Sequence, residues 1–271
     1  MKIERQKYTM KQLLEFAEYL NNGHSLAKTA EKFDVNYDTL KANLTRHGLR
    51  KPIRKVVNPT ERINSLDINY FKCIDTHEKA YFLGLIFSDG NICSGNYESS
   101  KITSITLKME DKYILEYFKK ELQVDTKIGE YKNSAKLSIT NSGLYNDLIN
   151  LGVKEDKSNL DMILPEIPLE FMNSFILGHF DGDGCITIKA NNAIVVSICC
   201  NSEIYLESMQ KFLTSVGIET SIRCEQGKRL NPLYILYFKG RKNQLKLKDL
   251  IYSDSKIYLI RKYDKFMKIP C

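Results

Sequence analysis

The chain has 271 residues, a formal net charge of +7 and a sequence pI of about 8.9. Hydrophobic residues make up 43% and charged residues 27%, which excludes disordered and fibrous proteins and is typical of a folded globular protein. The seven cysteines include no C-x-x-C pair, so neither a zinc site nor a disulfide framework is predicted. The sequence shows no signal peptide and no window near the roughly 18 apolar residues of a membrane span, so we expect a cytoplasmic protein with no membrane partner.

The basic surplus is concentrated near the N-terminus. Residues 1–70 contain 13 Lys and Arg against 8 Asp and Glu, a net charge of +5. Lys and Arg side chains that neutralise phosphates release condensed counterions, so a basic module favours a polyanionic partner. We therefore expect an N-terminal module that binds a polyanion.

Three short helices separated by tight breaks are predicted within residues 9–47. The first ends at Gly23, the second is SLAKTAEKF, and the third, YDTLKANLTRHG, ends at Gly48. Apolar residues at helical spacing predict a small core of Leu26, Ala30, Phe33, Val35, Leu40 and Leu44. The pattern is typical of a helix-turn-helix, which we assign to residues 1–50 as a small all-α domain.

The third predicted helix supplies the candidates for base contact. The second helix of a helix-turn-helix enters the DNA major groove, where Asn and Arg can make paired hydrogen bonds to base edges. The candidates are Asn36, Tyr37, Lys41 and Arg46, and Asn43 is also placed outside the core. The alternative is a three-helix packing unit whose polar face is only solvated.

Residues 51–74 show no sustained hydrophobic period. They contain two prolines and an excess of basic residues. We predict a basic linker, one that can itself run along phosphates.

The remainder of the chain repeats one order of elements. An apolar helix that ends in an acidic, glycine-containing turn opens each half, and alternating strands and an amphipathic helix follow. The segment 202–216 echoes 110–122, and 248–262 echoes 146–158. We assign residues 75–165 and 166–271 to two half-domains related by pseudo-twofold symmetry, as in a fused dimer, and expect a monomer.

The predicted strands have one apolar and one polar face. Ile105 and Leu107 oppose the polar residues of Ser104–Lys108, and Ile186 and Ile188 oppose Thr187 and Lys189. Any half-exposed antiparallel sheet has this pattern. The polar faces could instead lie in a DNA major groove. The contacts would then come from Lys101, Thr106, Lys108, Lys127, Lys132 and Lys136 in the first half, and from Thr187, Lys189, Arg223, Gln226, Lys228, Arg229, Asn231 and Lys239 in the second.

The two apolar helices end in closely similar nonapeptides. These are FLGLIFSDG at 82–90 and ILGHFDGDG at 176–184. The small residues Gly84, Ser88, Gly178 and Gly182, at i and i+4 in each copy, allow two helix backbones to approach closely. Close approach would place Asp89 beside Asp183.

Two adjacent carboxylates raise each other's pKa unless a cation lies between them, and Mg²⁺ is the hard divalent ion that suits oxygen ligands. Paired metal sites can activate water and neutralise charge on the attacking and leaving oxygens of a phosphodiester. One acid from each half predicts cleavage of both strands of a duplex rather than a nick in one.

The two nonapeptides resemble the motif that names the LAGLIDADG homing endonucleases, and the repeat around them covers nearly all of residues 75–265. The resemblance implies an α+β fold of two αββαββα half-domains packed through their motif helices, with two sheets that form a saddle over double-stranded DNA. It also implies Mg²⁺-dependent cleavage, with Mn²⁺ as a substitute, long recognition sites and short 3′ overhangs. The protein would act wherever its target DNA lies, in the cytoplasm, the nucleoid or an organelle matrix.

The resemblance also assigns site residues. The acid that ends the motif, catalytic and metal-binding, maps onto Asp89 and Asp183. The family's basic residue maps by position alone onto Lys157 and Lys262, for which the alternative is ordinary surface charge. The sequence departs from the motif at Phe87, where the family has an acid of structural role that Asp181 keeps in the second copy. Leu83 and Leu177 replace small residues, which predicts a slightly wider helix contact.

Three alternatives stay open. The two motifs could be core helices that end in ordinary Asp-Gly turns. The fold could serve a DNA-binding regulator that does not cleave, although a regulator would be expected to lose the two acids. It could also serve a maturase that binds intron RNA and retains them. An intein is disfavoured because the chain begins at Met1 and ends in Ile-Pro-Cys.

Overall fold

The structure is a computed structural model that describes residues 8–22, 24–49, 66–94, 101–155, 162–189, 193–225 and 231–270. The chain divides into two compact units, Met1–Ile63 and Asn64–Cys271. The assignment of a linker to 51–74 was wrong for its last residues, because Tyr70, Phe71 and Ile74 are buried in the core of the second unit. Phe71 and Tyr70 pack against Phe118, so these residues belong to the second unit and not to a solvent-exposed linker.

The first unit contains three helices, α1 (Met10–Asn21), α2 (Leu26–Lys32) and α3 (Tyr37–Arg46). Each begins where a polar side chain caps its first free N–H groups: Thr9 for α1, Ser25 for α2 and Asn36 for α3. Thr9 and Gln12 form a complete capping box. The predicted helices are therefore present, with their starts fixed by local sequence.

The core of the first unit contains most of the residues that the spacing predicts. Leu26, Ala30, Leu40 and Leu44 are buried, and Leu13, Phe16 and Ala17 of α1 pack with them, while Phe33 and Val35 are partly buried. The placement of Asn43 outside the core was wrong. Its side chain is 8% exposed because its amide donates a hydrogen bond to Thr39 O at 2.8 Å, which satisfies the polar group inside the unit.

The second unit repeats one arrangement twice. The first half contains α4 (His77–Asp89), β1 (Gly90–Cys93), β2 (Ile102–Lys108), α5 (Lys112–Glu121), β3 (Gly129–Glu130), β4 (Ser134–Thr140) and α6 (Ser142–Asn150). The second contains α7 (Met172–Asp183), β5 (Gly184–Ile188), β6 (Ile194–Cys200), α8 (Glu203–Ser215), β7 (Thr220–Glu225), β8 (Leu233–Phe238), α9 (Gly240–Tyr252) and α10 (Ile260–Met267). The sheets have the equivalent orders β1-β2-β4-β3 and β5-β6-β8-β7, all antiparallel. The predicted α+β repeat is confirmed.

Each sheet buries one face against its helices. Ile105 and Leu107 of β2 are buried while Thr106 and Lys108 are exposed, as the alternation predicts. Ser104, predicted on the polar face, is instead buried, and its hydroxyl donates to Asn91 O of the neighbouring strand at 3.4 Å. Ile188 was expected on the core side but is 44% exposed. It is the last residue of the edge strand β5. No helix in the described ranges is long and apolar enough to cross a membrane.

Candidate active site

The helices α4 and α7 are in backbone contact at the centre of the second unit. A Cβ atom on Gly84 would overlap Phe175 O, and one on Gly178 would overlap Tyr81 O. On Gly182 it would overlap the hydroxyl of Ser88. The small residues at i and i+4 therefore permit this approach, and the expected widening by Leu83 and Leu177 is not seen, since these contacts stay at backbone distance while both leucines are fully buried.

The close contact brings the ends of the two helices together. α4 ends at Asp89 and α7 ends at Asp183, and the next residue in each case is an extended glycine. A Cβ atom on Gly182 would lie 3.3 Å from the carboxyl carbon of Asp89, so Asp89 lies beside the last turn of α7. Asp89 is exposed and Asp183 is half-buried. The two acidic residues therefore lie at neighbouring helix ends, and neither is fully buried.

Lys262 of α10 lies buried behind this pair of helix ends. Its ammonium donates to Phe180 O at 2.6 Å, Gly182 O at 3.2 Å and Gly184 O at 2.6 Å. These bonds engage all three of its N–H donors. Lys262 is therefore a buried residue rather than an ordinary surface charge. Burial lowers the pKa of Lys262 to about 8, although the negative charges of Asp181, Asp89 and Asp183 act in the opposite direction.

Asp181 ties the start of α10 to both motif helices. Its Oδ2 accepts the hydroxyl of Tyr81 at 2.9 Å and the backbone N–H of Leu259, the residue before α10, at 2.8 Å. Burial raises the pKa of Asp181 to about 7, while the two donors and Lys262 lower it. In the first half Phe87 occupies the matching position and packs against Phe175 and Tyr205, so no carboxylate is present there.

The first half also holds the start of α10. Tyr113 donates to Tyr258 O at 2.8 Å and accepts from Ile260 N at 2.9 Å. Arg261 donates to the buried carboxylate of Asp111 at 2.8 Å. These residues were not predicted from the sequence. Partners nearly 150 positions apart leave no periodic signal, so no local pattern could have found them.

The donor set at the helix ends suits a magnesium ion. No group of three or more His, Cys, Asp or Glu side chains that could hold a metal occurs in the part of the chain that the structure describes. The carboxylates of Asp89 and Asp183 are two hard oxygen ligands, and the nearby Cys199 thiol donates to the backbone O of Asp183 at 3.3 Å. Mg²⁺ is commonly bound by one or two carboxylates while waters and substrate phosphates complete its shell, so the pair fits this ion better than zinc.

The predicted DNA-contacting residues of the second unit lie on or beside the open faces of the two sheets. Thr106 pairs with Lys136 across β2 and β4, and Lys108 follows on the same face. Thr187, Lys189, Arg223 and Lys239 line one open cleft of about 660 Å³ on the second sheet. Lys101, just before β2, hydrogen bonds to Asn146 and lies over the ring of Tyr145. Lys157, Gln226, Lys228 and Arg229 lie outside the described residues.

In the first unit, Tyr37, Lys41 and Arg46 are exposed on α3. Asn36 is exposed as well, but its side-chain oxygen caps α3 and accepts from the backbone of Asp38 and Thr39. Only its amide group is left for a paired contact with a base.

Comparison with known proteins agrees with this architecture. A family model described as a LAGLIDADG-like domain matches residues 170–252. An uncharacterized protein of Methanocaldococcus jannaschii is 28% identical over 170 residues, and the match spans 58% of this chain and 60% of that protein's length. The family model covers the second nonapeptide, at 176–184, and confirms the resemblance there, while the first, at 82–90, lies outside the matched residues.

Two solved structures share the fold. The crystal structure of I-DmoI in complex with DNA and Ca has a TM-score of 0.51 and 22% identity, over 68% of this chain and 93% of that one. Variants of the homing endonuclease I-DmoI have a TM-score of 0.50 and 21% identity, over 66% of this chain and 97% of theirs. At this identity the likeness establishes the fold.

Proposed function

Because residues 170–252 form a LAGLIDADG-like domain and most of the chain shares the fold of I-DmoI, we propose that the protein is a site-specific double-stranded DNA endonuclease. It hydrolyses one phosphodiester bond in each strand and leaves short 3′ overhangs. The observation that supports this most strongly is the convergence of Asp89 and Asp183, one from each pseudo-symmetric half, at the glycine contact between α4 and α7.

Asp89 and Asp183 would hold Mg²⁺, for which Mn²⁺ would substitute. I-DmoI has been crystallised with DNA and Ca, which supports the use of a divalent ion at this fold. When bound, the ion supplies activation of water and neutralisation of charge on the phosphate. Asp89 and Asp183 would each supply one carboxylate ligand, one from each half.

Lys262 is proposed as the basic residue of the site in the second half. In the structure its three donors are bonded to carbonyls around the end of α7, so its contribution is a fixed positive charge close to both carboxylates. A fixed charge of this kind stabilises negative charge that develops on the reacting phosphate. Lys157 is proposed for the equivalent place in the first half, by sequence position alone.

Replacing Lys262 by methionine is expected to slow cleavage at least tenfold, while the Kd for target DNA changes less than threefold. The variant also removes one donor from each of these three carbonyl oxygens, of which Phe180 O keeps the backbone N–H of Gly184, at roughly 1–3 kcal/mol of stability. Cleavage rate, fluorescence anisotropy and thermal melting separate these effects. The matched control is Lys265→Met on the exposed side of the same helix, which should leave the cleavage rate unchanged. A cleavage rate in Lys262→Met equal to that of the control would remove Lys262 from the site.

The open faces of both sheets would contact the DNA. The proposed contacts are Lys101, Thr106, Lys108, Lys136, Thr187, Lys189, Arg223 and Lys239, with Gln226 and Arg229 added from the sequence. The first unit would add contacts through Asn36, Tyr37, Lys41 and Arg46 of its helix-turn-helix. Two pseudo-symmetric halves in one chain are the arrangement that a monomer needs to cut both strands.

The proposal is tested with a library of randomised duplexes. The purified protein is incubated with the library in Mg²⁺ and, separately, in EDTA, and any cut ends are sequenced. We expect staggered ends at one long motif in Mg²⁺ and none in EDTA. Selective retention of duplexes without cleavage would instead indicate the DNA-binding regulator, and selective retention of structured RNA added in competition would indicate the maturase.

A further inference from the structure

The open faces of the two sheets differ in chemistry at equivalent strands. In β4 the side chains that alternate away from the core are Ser134, Lys136, Ser138 and Thr140, all polar. In β8, which has the same place in the second sheet, they are Leu233, Ile235 and Tyr237. Val195 of β6 lies on the same open face, where it pairs with Thr187. The two halves share a backbone plan but present different surfaces.

Among the residues that the structure describes, these apolar side chains lie outside the hydrophobic core. Leu233, Ile235, Tyr237 and Val195 are partly exposed, and none of them belongs to the core or packs against it, whereas their neighbours Leu236 and Phe238 are buried. High β-propensity accounts for a single apolar residue on an open sheet face, but it does not account for three apolar residues on one strand when the equivalent strand has none.

Cations lie beside the Tyr237 end of this apolar strip, and Arg223 pairs with Ile235, whereas Glu225 pairs with Leu233 at the other end. Lys189, Arg223, Lys239 and Arg241 line the open cleft of about 660 Å³ that Val195 and Tyr237 also line, and no acidic residue lines it within the described ranges. The Arg223 guanidinium lies 5.5 Å from the centre of the Tyr237 ring, over its face. An apolar floor with a basic rim is complementary to an apolar group that is carried between phosphates.

In the DNA major groove, the C5-methyl of thymine is the apolar group on a base edge. The geometry points to different modes of recognition by the two sheets. The second sheet recognises its half-site through thymine methyl groups, with Ile235 and its neighbours on β8 as the specificity-determining contacts. The first sheet, with hydroxyl and amino groups on β4, recognises its half-site by hydrogen bonds. This inference rests on the proposed function, because it names the chemistry of the DNA that the same surface binds.

The test replaces thymidine by deoxyuridine, which removes the methyl group and keeps every hydrogen-bonding group of the base edge. The duplex selected from the library is resynthesised with this replacement in one half-site at a time, and the Kd is measured by fluorescence anisotropy at fixed salt. The free energy of burying one methyl-sized group predicts a loss of roughly fourfold in affinity for each contacted methyl. We expect this loss in one half-site and less than a twofold change in the other.

The variant Ile235→Ser assigns the effect to β8. Ile235 is partly exposed and outside the core, so the fold is expected to persist, and thermal melting checks this. In this variant the affinity difference between thymidine and deoxyuridine duplexes should shrink, whereas the matched variant Ser138→Ala on β4 should leave it intact. Equal affinity for both duplexes in the wild type, or an undiminished difference in Ile235→Ser, would overturn the inference alone. A protein that selects no duplex at all overturns the proposed function and this inference with it.

Discussion

Replacement of Asp183 by asparagine is expected to abolish double-strand cleavage while DNA binding persists. The amide has nearly the shape of the carboxylate but lacks the charge that holds a divalent cation against a phosphate. Loss of one such electrostatic group typically costs roughly 10²–10³-fold in rate. Asp89→Asn should have an effect of the same size, because each half contributes one of the two acids at the helix ends.

Binding should not weaken in these variants. Both acids lie at the surface that would face DNA phosphates, so removal of one negative charge reduces repulsion and leaves the Kd unchanged or lower. The matched control is Asp125→Asn, at a carboxylate whose side chain is fully exposed away from the helix ends. Cleavage is measured on a plasmid that carries the selected site, with linear, nicked and supercoiled products resolved. Wild-type amounts of linear product from both Asp183→Asn and Asp89→Asn would disprove the assignment of the acids.

Replacement of Gly178 by alanine is expected to destabilise the second unit severely. The added Cβ would overlap Tyr81 O and lie 2.9 Å from Leu85 N, both of them backbone atoms of the facing helix. Neither atom can move without shifting α4, which is buried along most of its length. Overpacking of a rigid core costs 1–3 kcal/mol and sometimes more, and we expect the upper end of this range, about 3 kcal/mol. For a unit of this size that corresponds to a fall in Tm of roughly 6–12 °C.

The control for this prediction is Gly129→Ala. A Cβ atom there would meet its nearest neighbours at 3.6 Å, ordinary van der Waals distance, and the residue also lies within a regular element. Calorimetry of the two variants and the wild type gives the comparison. If Gly178→Ala melts within 1–2 °C of Gly129→Ala, then the helices are not in the backbone contact described above.

Much of the site could be predicted because it depends on local and repeated features. The small residues Gly84 and Gly178 predict a close approach of the two helices. Because the duplication predicts the same helix end in each half, Asp89 and Asp183 are expected close together. Helix starts in the first unit were likewise predictable, since capping by Ser25 or Asn36 involves residues only two or three positions away.

The remainder depends on contacts between distant segments. Lys262 is buried where it hydrogen bonds to carbonyls about 80 positions earlier in the chain. The sequence around it is an ordinary basic stretch and does not predict this burial. Ile188 has the parity of a core residue but is exposed at the end of an edge strand. Tyr70 and Phe71 follow a basic segment rich in turn residues, yet they find an aromatic partner in α5. In each case the deciding quantity is what the rest of the fold places nearby.

The most direct test of the central claim is a strand-resolved cleavage assay. A duplex that carries the selected site is labelled differently on its two strands and incubated with the wild-type protein while Mg²⁺ is titrated from zero. We predict that both strands are cut at staggered positions with the same dependence on Mg²⁺, and that EDTA abolishes both cuts. Cleavage of one strand only, or cleavage that persists in EDTA, would contradict a shared metal centre formed by Asp89 and Asp183.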